Sequence, residues 1–100
     1  MDSFIPTLSS TARGEEQRLH FLRISIALYL ETFGRLPEKL EDLCFDHHKH
    51  PKWDGAFIDW KGKETFRDLF GMPYLFEVRG ATFMVTSPGL ESWKKNEKPG

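Results

Sequence analysis

This 100-residue chain lacks paired cysteines, long apolar runs, clustered glycines and an excess of either charge. Cys44 is the single cysteine, so no internal disulfide staples the fold, and its amphipathic surroundings point to a buried, inert thiol. No run of 18 apolar residues occurs, which excludes a membrane-crossing helix within these residues. The first fifteen residues also lack the basic-then-apolar order of a secretion signal. Lys and Arg number 14 against 15 Asp and Glu, and the net charge of -1 creates no field that would draw the chain to a phosphate backbone. A nucleic-acid partner is therefore not expected. The eight glycines stand apart, so neither a P-loop nor a dinucleotide-binding turn can be assembled from them.

What remains is an ordinary globular composition, 39% hydrophobic and 29% charged, with nine phenylalanines to fill a small core. A chain of this length forms one domain, burying roughly two-thirds of its unfolded surface. We place that domain at 1–91 and expect 92–100 to be a flexible tail with little beyond Trp93 to bury.

Pro6 suits a first helical turn, and Ser9, Ser10 and Thr11 offer a later cap, with fraying expected ahead of Glu15 because of Gly14. From there Leu19, Leu22, Ile26, Tyr29 or Leu30, and Phe33 recur at three- and four-residue steps, defining a helix with one apolar face. A second apolar row, Phe21, Ile24 and Leu28, exceeds what a half-buried helix needs. Either loops cover it or a neighbouring subunit does. Gly34 and Pro37 end the helix. Pro37 to about Phe45 follows as a short second helix, with Leu36, Leu40, Leu43 and Cys44 inward and Glu38, Lys39, Glu41 and Asp42 outward. A polar loop over 46–55, a short edge strand over 56–60 and a loop or helical turn over 61–67 come next. Two alternating segments, 74–78 and 82–86, flank Arg79-Gly80-Ala81 as a hairpin. The fold class is α+β.

Few residues suggest chemistry. His47 and His50, beside Asp46 and Cys44, are the candidate zinc ligands, but no second pair stands at ligand spacing and a solvated loop explains them. The carboxylate pairs Glu15–Glu16 and Glu41–Asp42 occupy consecutive helical positions and point apart, so solvated faces explain them better than an acid/base dyad. In the block Asp68-Leu69-Phe70-Gly71-Met72-Pro73-Tyr74, Asp68 can bond backbone N–H groups, Gly71 can take positive φ, and Pro73 directs Tyr74 into a strand.

The segment Ala27-Leu28-Tyr29 through Gly34-Arg35-Leu36-Pro37 resembles the end of the spine helix in bacterial pseudopilins, where a pattern like A-L-x-x-Y-x-x-x-x-G-R-Y-P closes the helix. The 68–74 block is similar to that family's D-P-W-G-N-P-Y, and Ser87-Pro88-Gly89-Leu90-Glu91 to its S-x-G-x-D, all in the family's order over roughly residues 5 to 91. The resemblance implies a pilin-like fold: a long N-terminal helix on a small antiparallel sheet, a short second helix and a long loop. It implies a structural, non-catalytic subunit of the type II secretion pseudopilus, whose partners are other pseudopilins and secretion-system proteins. It implies a periplasmic domain whose full-length form is held in the inner membrane by a segment ahead of Phe4-Ile5-Pro6, with the isolated fragment monomeric. The family's last loop binds calcium. Here only Glu91 stands at a matching acidic position, while Lys94 and Lys95 oppose a cation, so no ion is expected. The competing class is a free-standing binding module using the histidine loop or the second apolar row.

Overall fold

The computed structural model describes residues 5–46 and 49–97, with side chains at 10–46 and 49–95. Helix α1, Ile5–Phe33, runs unbroken through Gly14 for 29 residues, about 43 Å at 1.5 Å per residue. Its core face carries Ala12, Leu19, Leu22, Ile26 and Tyr29, all buried, with Ile26 fully so. Alternating steps of three and four residues keep this row on one side, which is the physical reason the stretch is a helix packed on something flat.

Gly34 closes α1 in the left-handed conformation (φ 76°), donating its N–H to the Leu30 carbonyl at 2.8 Å. The buried Pro37 follows. The short second helix expected over 37–45 contracts to a 3-10 turn, Leu40–Leu43, because Lys39 is extended (φ −149°, ψ 161°) and interrupts any helix entering from Pro37. Leu40, Leu43 and Cys44 point inward as expected, but Asp42 does too, at 2% exposure. Its Oδ2 accepts the Glu38 N–H at 3.0 Å, so the carboxylate is used to hold the turn together.

The segment 56–60, expected as an edge strand, is an irregular loop. Phe57 and Ile58 both donate N–H groups to the Leu43 carbonyl, at 2.8 and 3.2 Å, leaving no ladder for a strand to join. Aromatic contacts fix the loop instead. Phe33 lies 4.6 Å from Tyr29, 5.8 Å from Phe57 and 4.2 Å from the His50 ring, and stacks parallel to Trp53 at 6.1 Å. A second 3-10 turn spans Lys63–Phe66.

Strands β1, Leu75–Arg79, and β2, Thr82–Thr86, form a two-stranded antiparallel sheet, pairing Leu75 with Thr86 through Arg79 with Thr82. Between them Gly80 alone carries positive φ (60°), the pattern of a two-residue II′ turn. Phe76, Phe83 and Val85 share the face turned to the core, and Leu75 and Met84 lie exposed on the other.

Helix α2, Pro88–Glu97, takes up residues that the sequence places in a flexible tail. Leu90, at 1% exposure, and the half-buried Trp93 anchor it to the core, and its N-terminus is capped by groups described below. The molecule is thus an α+β domain in which α1 packs on a small antiparallel sheet and on α2.

Candidate functional site

Two features stand out: a buried polar knot that joins distant segments, and an apolar stripe left outside.

The knot begins with Glu15. Its position in the helical period puts it on the same face as Leu19, Leu22 and Ile26, and the side chain is completely buried. Oε1 accepts the Leu69 N–H at 2.7 Å and Oε2 accepts the Tyr74 hydroxyl at 2.5 Å. The reading of Glu15 as a solvated helix residue is therefore corrected; of the adjacent pair only Glu16 is exposed, in a 3.7 Å surface ion pair with Lys94. Burial and then the hydrogen bond to Glu15 raise the Tyr74 phenol well above its ordinary range. The Arg18 guanidinium lies 5.9 Å over the Tyr74 ring and donates to the Arg67 carbonyl at 3.0 Å.

Asp68 forms the other half. Oδ1 accepts the Phe70 and Met72 N–H groups at 3.0 and 2.7 Å, closing the turn in which Gly71 has φ 90° and Pro73 bridges to Arg67. Oδ2 accepts the Ser87 hydroxyl and the Gly89 N–H, both at 2.8 Å. Ser87 is itself the N-cap of α2, its Oγ accepting the Leu90 N–H at 3.2 Å. Asp68 is thus a second, non-local cap at the positive end of that helix. Burial works to raise its pKa, but the bonds from Met72, Ser87, Gly89 and Phe70 outweigh it and hold the carboxyl below its usual value. Every oxygen in the knot is committed to an internal donor, so the arrangement joins segments and offers no free base or nucleophile.

Cys44 is equally unreactive. Burial, reinforced by the charges of Glu41 and Asp59, pushes its thiol up to about 11. His47 lies outside the described residues. The His50 N–H donates to Asp46 Oδ1 at 2.8 Å, while its ring packs on Phe33 with Nδ1 unpaired among the described residues. No group of three His, Cys, Asp or Glu side chains among those residues is arranged to hold a metal ion. Glu91 is exposed in the first turn of α2, and Lys94 and Lys95 are in the last.

The stripe is Phe21, Ile24 and Leu28, exposed by 60%, 42% and 47%. At 100° per residue Ile24 lies about 180° around α1 from the middle of the core face. Of the two coverings considered for this row, loops of the same chain do not supply one among the described residues. A groove beside Phe21 is walled by Arg18, Phe57, Ile58 and Thr65, but it flanks the stripe and leaves it open.

Fold and site together define a small α+β domain organised along one long helix, cross-braced by buried carboxylates, with that helix apolar on two opposite faces. No family model, curated protein or solved structure matches the chain.

Proposed function

We propose that this chain is the globular part of a pseudopilin-like filament subunit of type II secretion, with a structural and non-catalytic role. The observation that carries the reading is the uncovered Phe21–Ile24–Leu28 stripe on the side of α1 opposite its core. An apolar row facing water over about two turns is costly unless another surface meets it. Two further features support it. The three sequence blocks that resemble pseudopilins, the spine-helix end, 68–74 and 87–91, all belong to the core built around α1, and the knot ties the latter two to it through Glu15 and Asp68. The side chains that do carry charge in the interior are consumed by internal hydrogen bonds, which suits a rigid brick more than a catalyst.

The stripe consists of three side chains, each about half exposed, and falls well below the roughly 800 Å² per partner of a stable interface. In this reading the isolated domain is monomeric, and the contact becomes effective when many copies are held side by side by a membrane-anchored extension of α1. Protein isolated from its own cells tests this. Its mature sequence is expected to carry, ahead of Asp2, an apolar segment of roughly twenty residues, and to fractionate with the inner membrane. A native protein that begins at Met1 and is recovered free of membrane overturns the proposal.

A further inference from the structure

The sheet has an unfinished edge. A two-residue turn makes Arg79 and Thr82 a hydrogen-bonded pair, so the main-chain groups of Leu75, Glu77 and Arg79 point across to β2, while those of Phe76 and Val78 point away from it. One residue earlier in that phase, the outward N–H is used: Tyr74 donates to the Phe66 carbonyl at 3.0 Å, next to the Arg67–Pro73 bridge. There the pairing stops, because the chain leading into Phe66 is curled into the Lys63–Phe66 turn and cannot run alongside β1. Among the described residues nothing pairs with Phe76 and Val78 on this side.

Two more observations mark the place as open. Register puts Val78 on the core-facing side with Phe76, Phe83 and Val85, yet it is 46% exposed, so the inner face is uncovered at this edge. And a groove of about 300 Å³ begins beside Phe76, walled by Phe66, Tyr74 and Leu40 and by the carboxylates Glu38 and Glu41, with Lys39 the one cation. β1 carries no proline, and its two charges, Glu77 and Arg79, pair with each other at 3.3 Å on the outer face.

We propose that this edge receives an extended, basic–apolar peptide segment of another protein as a third strand. Its main chain bonds Phe76 and Val78, and of the alternate side chains that face the core, apolar ones cover Val78 while a lysine or arginine at the groove end meets Glu38 and Glu41. The site is separate from the helix stripe, and its failure would leave the filament reading untouched.

Fluorescently labelled heptapeptides with Thr at alternate positions and, on the core-facing positions between them, Val together with Lys or Val together with Glu, titrated with the protein by anisotropy, test it. The Lys peptide is expected to bind saturably and the Glu peptide at least about tenfold more weakly. Val78→Pro removes the outward N–H while leaving every β1–β2 bond in place, and is expected to weaken the Lys peptide by a similar factor. Glu38→Gln with Glu41→Gln should weaken it several-fold and flatten its salt dependence. The proposal is overturned by absence of saturable binding, by equal binding of the two peptides, or by unchanged affinity in a folded Val78→Pro protein. Should Val78→Pro unfold, N-methylation of the peptide at alternate residues replaces it. One methylated set must abolish binding and the other must not; equal effects overturn the proposal.

Discussion

Gly89→Ala is expected to lower the thermal midpoint by about 12 °C or more. A Cβ at this position would sit 2.3 Å from Phe70 Cβ, 2.7 Å from its Cγ and 2.8 Å from Asp68 Oδ2. None of these is the loose end of a flexible chain. Phe70 lies in the turn that Asp68 closes, and moving it opens the bonds from Phe70 and Met72, while moving α2 away breaks the Gly89 N–H to Asp68 bond. Overpacking together with a lost buried bond comes to about 3 kcal/mol, and for a domain of this size each kcal/mol is about 4–8 °C. Gly34→Ala is the contrasting case, because nothing lies within 4 Å of its added Cβ. It meets only the strain of φ 76°, and about 1 kcal/mol is expected. Equal midpoints for the two variants, measured by calorimetry, would contradict the packing described for the knot.

Asp68 should produce a comparable effect and a signature in pH. Asp68→Ala leaves two turn N–H groups, the Gly89 N–H and the Ser87 hydroxyl without their acceptor in a site that is 4% exposed, and about 3–5 kcal/mol should be lost. The carboxyl is held below its ordinary pKa in the folded protein. A depressed folded value means that its contribution is fully present above the unfolded value, about 3.9, and is lost as pH falls through the folded one. Stability of the natural chain should therefore decline on acidification below about pH 4. Asp68→Asn, already weakened at neutral pH, should decline less steeply there. Chemical denaturation at pH 7 and pH 3 gives both values for each protein, and parallel losses would assign the acid lability to other groups.

Much of the fold can be read directly from periodicity. The row from Leu19 to Phe33, the stop at Gly34 and the hairpin around Gly80 are local patterns, and each forms where its residue chemistry places it. The stripe is also visible in the period of α1, but whether a loop folds over it depends on where 46–62 goes, which no local rule states. Glu15 and Asp42 escape a composition-based reading because carboxylates are ordinarily solvated. The clue to Glu15 is phase: it stands four residues before Leu19 and seven before Leu22, on the apolar face. Asp68 illustrates the division within one residue. Its bonds to Phe70 and Met72 belong to a turn that sequence suggests, whereas those to Ser87 and Gly89 join segments about twenty residues apart. The same non-local cap explains why the mostly polar segment 92–97 is helical: Ser87 and Asp68 satisfy the first N–H groups, and Leu90 and Trp93 supply enough burial to hold the helix down.

The central claim, that the outward face of α1 meets further copies in an open series, is tested most directly by oxidative cross-linking in cells of the natural full-length protein carrying Phe21→Cys and Leu28→Cys. The two positions are about 10 Å apart along one helix face, and the buried native Cys44 stays out of the reaction. A head-to-tail contact links position 21 of one copy to position 28 of the next and continues, giving a ladder of trimers and longer species, while each single-cysteine control lacks the facing thiol and stays monomeric. Only monomer, or a double-cysteine product that ends at the dimer, would contradict the account.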